Sequence, residues 1–382
     1  MKDGPAHLEA NGDETEFELE RLSISRRLLS WRTILPLVVV IVVFALVAQH
    51  LGLEFNPKGI ASALAQANIW VFLAGFIVYY SSFPLRVLRW KLMLQNVGYR
   101  KEQGVHLPGF LPLSKILYLS WFANLIVPAK LGDIYRAYLL RQESKAPATR
   151  SFGTVLAERI LDLVTLLLLF ISAVLISLHG QLPSQLELAL HICLVLLVCL
   201  IAGLVLLRGY HGKIRLLIPP RFRDYYIHFQ EGALGSFKRL HLLVPLTLTI
   251  WSMEALRFMF VALATRMLGG DPIHIFTAAL FISLGEALLT TVPLTSGGVG
   301  FVESGMLAMI LLFIPHTAAA QNGAAATIVL DRMISLVSTL IFGGILFFFT
   351  MFSKKSLKAQ TARGKELILK EKRESAGAPN KQ

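Results

Sequence analysis

The chain has 382 residues, of which 16 % are charged and 55 % are apolar, with a mean hydropathy of +0.62. A soluble domain carries about 25 % charged residues, so this composition excludes a secreted disulfide scaffold, a soluble nucleotide-binding enzyme and a disordered regulator. Net charge is +13. The acidic first twenty residues and the basic last thirty cancel, so the excess lies between apolar runs, where it points to membrane topology and anionic lipid rather than nucleic acid.

Residues 1–32 read as a cytoplasmic tail, acidic and then basic (Arg21, Arg26, Arg27, Arg32). The apolar run at 34–50 has no small-residue cleavage site after it and reads as a retained signal anchor. Further apolar runs follow at 66–83, 153–178, 186–207, 242–267 and 324–352. Most approach the roughly 20 residues that cross a bilayer core as a helix. Two others, 116–141 and 275–315, are apolar but interrupted. Pro128 and Gly132 break the first; Pro293, Gly297, Gly298 and Gly300 break the second. Residues 353–382 read as a basic cytoplasmic tail, and 33–352 as a single transmembrane domain.

Basic residues concentrate in alternate connections. Segment 84–115 carries Arg86, Arg89, Lys91, Arg100, Lys101 and Lys115, and 208–241 is similarly rich, whereas 179–185, 268–274 and 315–323 have none. The positive-inside rule then places both termini in the cytoplasm. Segments on either side of each interrupted run fall on the same face of the membrane. Each run is therefore expected to be a re-entrant hairpin, or else two short complete crossings. The expected fold is an all-α polytopic membrane protein of about six full spans plus two hairpins, or eight to ten spans if the hairpins cross. Halves at about 33–178 and 186–352 then have the same order of elements in opposite orientation, an inverted repeat of the kind secondary transporters use. Glu158-Arg159 in the first half and Asp331-Arg332 in the second occupy equivalent places near the last span.

Charges within spans are costly unless paired or wetted, which makes them the candidate functional residues. Glu158 and Asp162 are four apart on one helix face with Arg159 beside them. Glu254 and Arg257 are three apart near the middle of their span, and Glu286 and Glu303 flank the glycine-rich break. Lys130, Asp133 and Arg136 surround the first break. A broken helix leaves free N–H groups and a positive dipole end at depth, where a phosphate or carboxylate can bind. The plainer alternative is that these charges snorkel to the interface or mark ordinary turns. Expected substrate-binding residues are thus Lys130, Asp133, Arg136, Glu158, Arg159, Asp162, Glu254, Arg257, Glu303 and Arg332. No metal spacing, catalytic motif or nucleotide loop accompanies them, and no cofactor is expected. Cys193 and Cys199 read as two inert buried thiols.

The spacing of Asn124, Pro128, Gly132, Asp133, Arg136 and Ala137 resembles the N-x-x-x-P-x-x-x-G-[DE]-x-x-R-A signature of the lysylphosphatidylglycerol synthase transmembrane-region family. Glu158, Arg159 and Asp162 resemble its E-R-x-x-D element, and Pro293, Gly297, Gly298, Gly300 and Glu303 its P-x-x-x-G-G-x-G-x-x-E element. Asp331-Arg332 stands in the place of its last arginine motif. The resemblance covers about 33–350. It implies a relation to the flippase portion of the multiple peptide resistance factor, and to stand-alone members associated with glycolipid or glycoprotein pathways. With thirty residues after its last span, the chain is expected to lack the soluble aminoacyl-transferase domain. The resulting expectation is an inner-membrane flippase or transporter, not an enzyme, for a phospholipid or related anionic amphiphile. Membrane lipid is the expected partner, with anionic phospholipid at the basic cytoplasmic loops; a homo-oligomer stays open. The rival readings are a membrane enzyme or accessory in lipid-linked sugar or aminoacyl-lipid metabolism, a small-solute secondary transporter, and a scaffold.

Overall fold

The computed structural model describes residues 56–99, 106–127, 130–144, 147–177, 184–209, 219–292 and 295–350. The expected run at 34–50, both tails and the helix-break residues Pro128 and Pro293 lie outside the described residues. Among those described, regular structure is entirely helical. The short α1 (Pro57–Ala65) begins with Pro57 at its first position, and the Asn56 side chain accepts a bond from the Lys58 N–H. Helix α2 (Ile69–Asn96) starts where the Asn68 side chain caps the N–H groups of Trp70 and Val71.

The sequence places the end of this span at Phe83, before a proline and a basic stretch. Instead α2 runs through Pro84 for 28 residues, or about 42 Å. Proline has a helix-compatible φ and costs chiefly one hydrogen bond. Arg86 and Arg89 do not belong to a loop, being 4 % and 0 % exposed. On the same helix Val87, Trp90 and Leu94 join Leu113, Ile116, Leu117 and Leu140 in a buried cluster.

The first interrupted run is a helical hairpin. Helices α3 (Phe110–Ile126) and α4 (Gly132–Ser144) form its arms, and Lys130, just before the second, has a φ of 53°. Gly132 makes close packing of the arms possible, because a β-carbon there would collide with the Ser120 carbonyl oxygen and the Asn124 backbone. The second run is also a hairpin, formed by α9 (Pro272–Thr291) and α10 (Phe301–Ile310). Between its arms Gly297, Gly298 and Gly300 have φ of 65°, 73° and 82°. That left-handed backbone explains the clustered glycines. The second arms have 13 and 10 residues, about 20 Å and 15 Å of rise. Both fall short of the roughly 30 Å core, whereas the first arm of the second hairpin, with 20 residues, is long enough to cross it.

Helices α5 (Ala148–Ser177), α6 (Ser184–Gly209), α7 (Pro220–Gly235) and α8 (Leu240–Ala264) lie between the hairpins in sequence. Near the start of α5 the backbone of Gly153 meets that of Gly232 on α7, and Arg150 pairs with Glu231 at 2.6 Å. The last helix, α11 (Ala318–Arg332), continues through a π-helical turn at Met333–Val337 and on to Thr350. Five helical stretches among the described residues are long and apolar enough to cross a membrane: Ile69–Asn96, Ala148–Ile176, Pro220–Ala264, Pro272–Thr291 and Ala318–Thr350. Helix α6 is apolar and exposes Ile192, Leu194, Val195 and Val198, as suits a lipid-facing surface. Cys193 is half-buried there, but Cys199 is exposed rather than buried.

The chain forms two compact units. One takes the described residues up to Gly75, Leu166–Cys193 and Glu254–Leu330; the other takes Phe76–Thr165, Leu194–Met253 and the described residues from Asp331. Each unit contains one hairpin. In the first, Phe170 stacks on Phe281 at 5.3 Å, and Gly285 lets Met309 of α10 pack against α9. The second contains the α3–α4 hairpin and the largest group of buried charges.

Candidate site on the first hairpin

The charged site is built from α2, α4 and α5, with α3 and α8 completing it. Arg89 of α2 is its centre. Its Nη1 donates to Asp162 Oδ1 at 2.6 Å, and its Nη2 to Asp162 Oδ2 at 3.0 Å and Glu158 Oε1 at 2.9 Å. Thr247 of α8 accepts from Nη1 at 3.0 Å, and Trp251 Nε1 donates to Asp162 Oδ1 at 3.2 Å. The i, i+4 spacing of Glu158 and Asp162 presents both carboxylates to one guanidinium. A buried charge is tolerable only when paired and hydrogen-bonded in this way.

Arg136 of α4 approaches Glu158 from another side. Its Nη1 lies 2.8 Å from Glu158 Oε2, and its guanidinium carbon lies 3.8 Å from the centre of the Trp90 ring. This is a short cation–π contact. Arg136 is 1 % exposed, yet its Nε and Nη2 have no hydrogen-bond partner among the described residues. Buried polar nitrogens are nearly always satisfied by protein, water or ligand. Arg159, one residue after Glu158, turns outward and holds Asp133 of α4 through Nε at 2.8 Å and Nη2 at 2.7 Å. Asn124 Nδ2 donates to the same carboxylate at 3.0 Å. The Arg159 side chain is 36 % exposed, which makes it the outer member of the network. Lys130, half-buried at the hairpin turn, makes no ion pair among the described residues.

Six of the ten expected site residues therefore come together: Lys130, Asp133, Arg136, Glu158, Arg159 and Asp162. Glu254 and Arg257 form a different group. Arg257 Nε donates to Glu254 at 3.0 Å and its Nη2 to Glu286 at 2.8 Å, with all three residues buried. Glu303 sits in the first turn of α10, where its carboxylate accepts from the Gly300 N–H. Asp133 likewise occupies the first turn of α4. Both short arms thus start with a carboxylate of their own, so the expected anion-binding helix ends already hold negative charge. Arg332 is half-buried on α11 beside the fully buried Asp331. Glu158 and Arg159 show the same division, acid inward and arginine half out.

Sequence reasoning missed Arg89, Trp90 and Trp251. Arg89 had the look of a cytoplasmic topology charge. The available signal was the buried stripe of Ser82, Arg86, Arg89, Trp90 and Met93, whose three- and four-residue steps continue the helix past Pro84.

A family model of the lysylphosphatidylglycerol synthase TM region matches residues 33–343. A UPF0104 membrane protein of Methanocaldococcus jannaschii is 33 % identical over 232 residues, covering 59 % of this chain and 93 % of that protein. A UPF0104 membrane protein of Methanothermobacter thermautotrophicus is 25 % identical, covering 84 % of this chain and 97 % of its own length. The glycosyltransferase AglD of Haloferax volcanii is 25 % identical over 329 residues, 77 % of this chain but only 51 % of AglD. The α3–α4 and α9–α10 hairpins carry the motifs that the sequence shares with this family, and the multi-pass helical chain belongs to the lysylphosphatidylglycerol synthase transmembrane-region family.

Proposed function

We propose that this membrane protein moves a phospholipid or related anionic amphiphile between leaflets, receiving the head group at the α3–α4 hairpin. One observation carries the reading: the network has cationic donor capacity to spare. Among the described residues, Arg136 Nε and Nη2 have no hydrogen-bond partner and Lys130 has no ion-pair partner. Guanidinium and ammonium donors in this number suit a phosphate, which offers several acceptor oxygens. Lys130 and the outward Arg159 make the first contacts. Asp133, already shared between Arg159 and Asn124, yields one arginine donor as the phosphate arrives. Arg89 stays fixed between Glu158 and Asp162 and holds the site open without touching the head group. The acyl chains remain in the bilayer, so only the head group needs a polar path. With no nucleotide-binding motif in the sequence, movement is downhill or coupled to an ion gradient.

Reconstitution into liposomes with a head-group-labelled anionic lipid tests the reading. Protein-containing vesicles are expected to equilibrate the label between leaflets, and Lys130→Gln combined with Arg159→Gln to slow this at least about tenfold, the loss of two charge-assisted contacts. An unchanged leaflet distribution across a panel of lipids contradicts it.

The second reading, an enzyme or accessory acting on a lipid-linked sugar, is favoured by the similarity to AglD, whose name is that of a glycosyltransferase. Asp133 would be its base, but the carboxylate oxygens are committed to Arg159 and Asn124. Product formation by the purified protein, abolished in Asp133→Asn, would select this reading over translocation.

A further inference from the structure

An open apolar cavity of about 400 Å³ lies apart from the charged network, bounded by α2, the outer face of α3 and the final helix. Phe83, Pro84 and Val87 form one wall, Leu111 and Tyr118 another, and Leu346 the third. Pro84 presents its ring to this space from the middle of α2. The size is that of a ligand cleft, but the walls lack the converging polar groups that fix a head group. Tyr118 is the exception, and its hydroxyl is already hydrogen-bonded to that of Tyr80 at 3.1 Å, which in turn meets Ser338 Oγ at 2.6 Å.

The rim is different. Lys115, exposed and one turn into α3, lies at the edge of the cavity. The neighbouring Ser114 hydroxyl is occupied by the Phe110 carbonyl at 2.8 Å, so it does not compete for a ligand. An apolar trough with the Lys115 ammonium at its mouth has the polarity of a phospholipid, an acyl chain inside and the phosphate outside. Long lysine side chains at a membrane surface bury their stems and keep the charge at head-group level, and a basic residue there attracts anionic lipid.

We propose that this trough is the seat of one phospholipid with a net negative head group, one acyl chain between α2 and α3 and its phosphate on Lys115. The seat shares no residue with the charged site. Phe83 lines the trough and packs on Trp121 at 5.0 Å between ring centres, and Arg86 stacks over the other part of that contact, 4.7 Å from the Trp121 ring. The bound chain therefore braces the first arm of the hairpin against α2. It does so whether or not the protein translocates lipid, so the inference stands apart from the proposed function.

The test uses the full chain in nanodiscs containing phosphatidylglycerol or phosphatidylcholine, each with a photoreactive group on one acyl chain. After illumination, adducts are mapped by peptide mass spectrometry. With phosphatidylglycerol, adducts should concentrate on peptides holding Phe83, Leu111 and Ser114 rather than spreading over the exposed α6 residues. Ser114→Trp, which fills the trough from its rim, should abolish that concentration. Lys115→Glu, at an exposed position with no core contact, should reduce it about fivefold for phosphatidylglycerol, the size of one exposed charge contact reversed. Unchanged helical circular dichroism and a single symmetric elution peak confirm that both variants are folded. Adducts spread evenly over the outer helices overturn the seat. Equal labelling by both lipids, or unaltered labelling in Lys115→Glu, overturns its selectivity for negative head groups.

Discussion

Replacing Arg89 with methionine removes the centre of the hairpin network while nearly preserving its volume. The cation gives three charge-assisted hydrogen bonds to two carboxylates and a fourth to Thr247, at 2.6 to 3.0 Å. Glu158 would keep Arg136 as a partner. Among the described residues, Asp162 would keep only the neutral Trp251 indole as a hydrogen-bond partner. One buried carboxylate is then left uncompensated, a loss of about 3–5 kcal/mol of stability. Removing that charge as well should restore part of the loss. In a double-mutant cycle of Arg89→Met and Asp162→Asn, the double variant should be more stable than the sum of the single changes by about 1–3 kcal/mol. Equilibrium unfolding in mixed micelles, followed by tryptophan fluorescence, measures all four corners. Additive single effects, with coupling below about 0.5 kcal/mol, would refute the picture of Arg89 as the shared counter-ion.

Two further substitutions test the hairpins. Gly132→Ala should separate the arms and cost about 1–3 kcal/mol, since its β-carbon meets the Ser120 carbonyl and the Asn124 backbone; unfolding midpoints measure this, and an unchanged midpoint argues against the close approach. Glu303→Ala removes the carboxylate that satisfies the Gly300 N–H and should cost about 1 kcal/mol, with faster amide hydrogen exchange confined to the first turn of α10.

Both hairpins were legible because proline and glycine interrupt otherwise apolar runs, and the arm helices stop where those breaks begin. The Glu158–Asp162 pair was legible from its helical spacing alone. Its partner was not, because Arg89 comes from a helix 69 residues earlier in the chain and stands among basic residues that read as topology markers. Pro84 reinforced that reading, as an isolated proline ends many helices but does not have to end one whose remaining turns are held by packing. Glu254 and Arg257 were visible as an i, i+3 pair, whereas the approach of Glu286 to the same guanidinium depends on how α9 packs. Glu303 was selected for its charge in the membrane. Its position three residues after Gly300 also fits the reciprocal spacing by which an acid caps its own helix, and that local role is the one its hydrogen bond displays.

In the proposed function Lys130, Arg136 and Arg159 offer an anionic head group donors that the described residues leave unfilled. Gentle extraction followed by mass spectrometry of co-purified lipid addresses it directly. Wild-type protein should retain a phosphate-bearing anionic lipid in a fixed ratio, and the Lys130→Gln/Arg159→Gln variant, equally folded, should lose it. Identical lipid content in the two preparations, or retention of zwitterionic and neutral lipids alone, would contradict it.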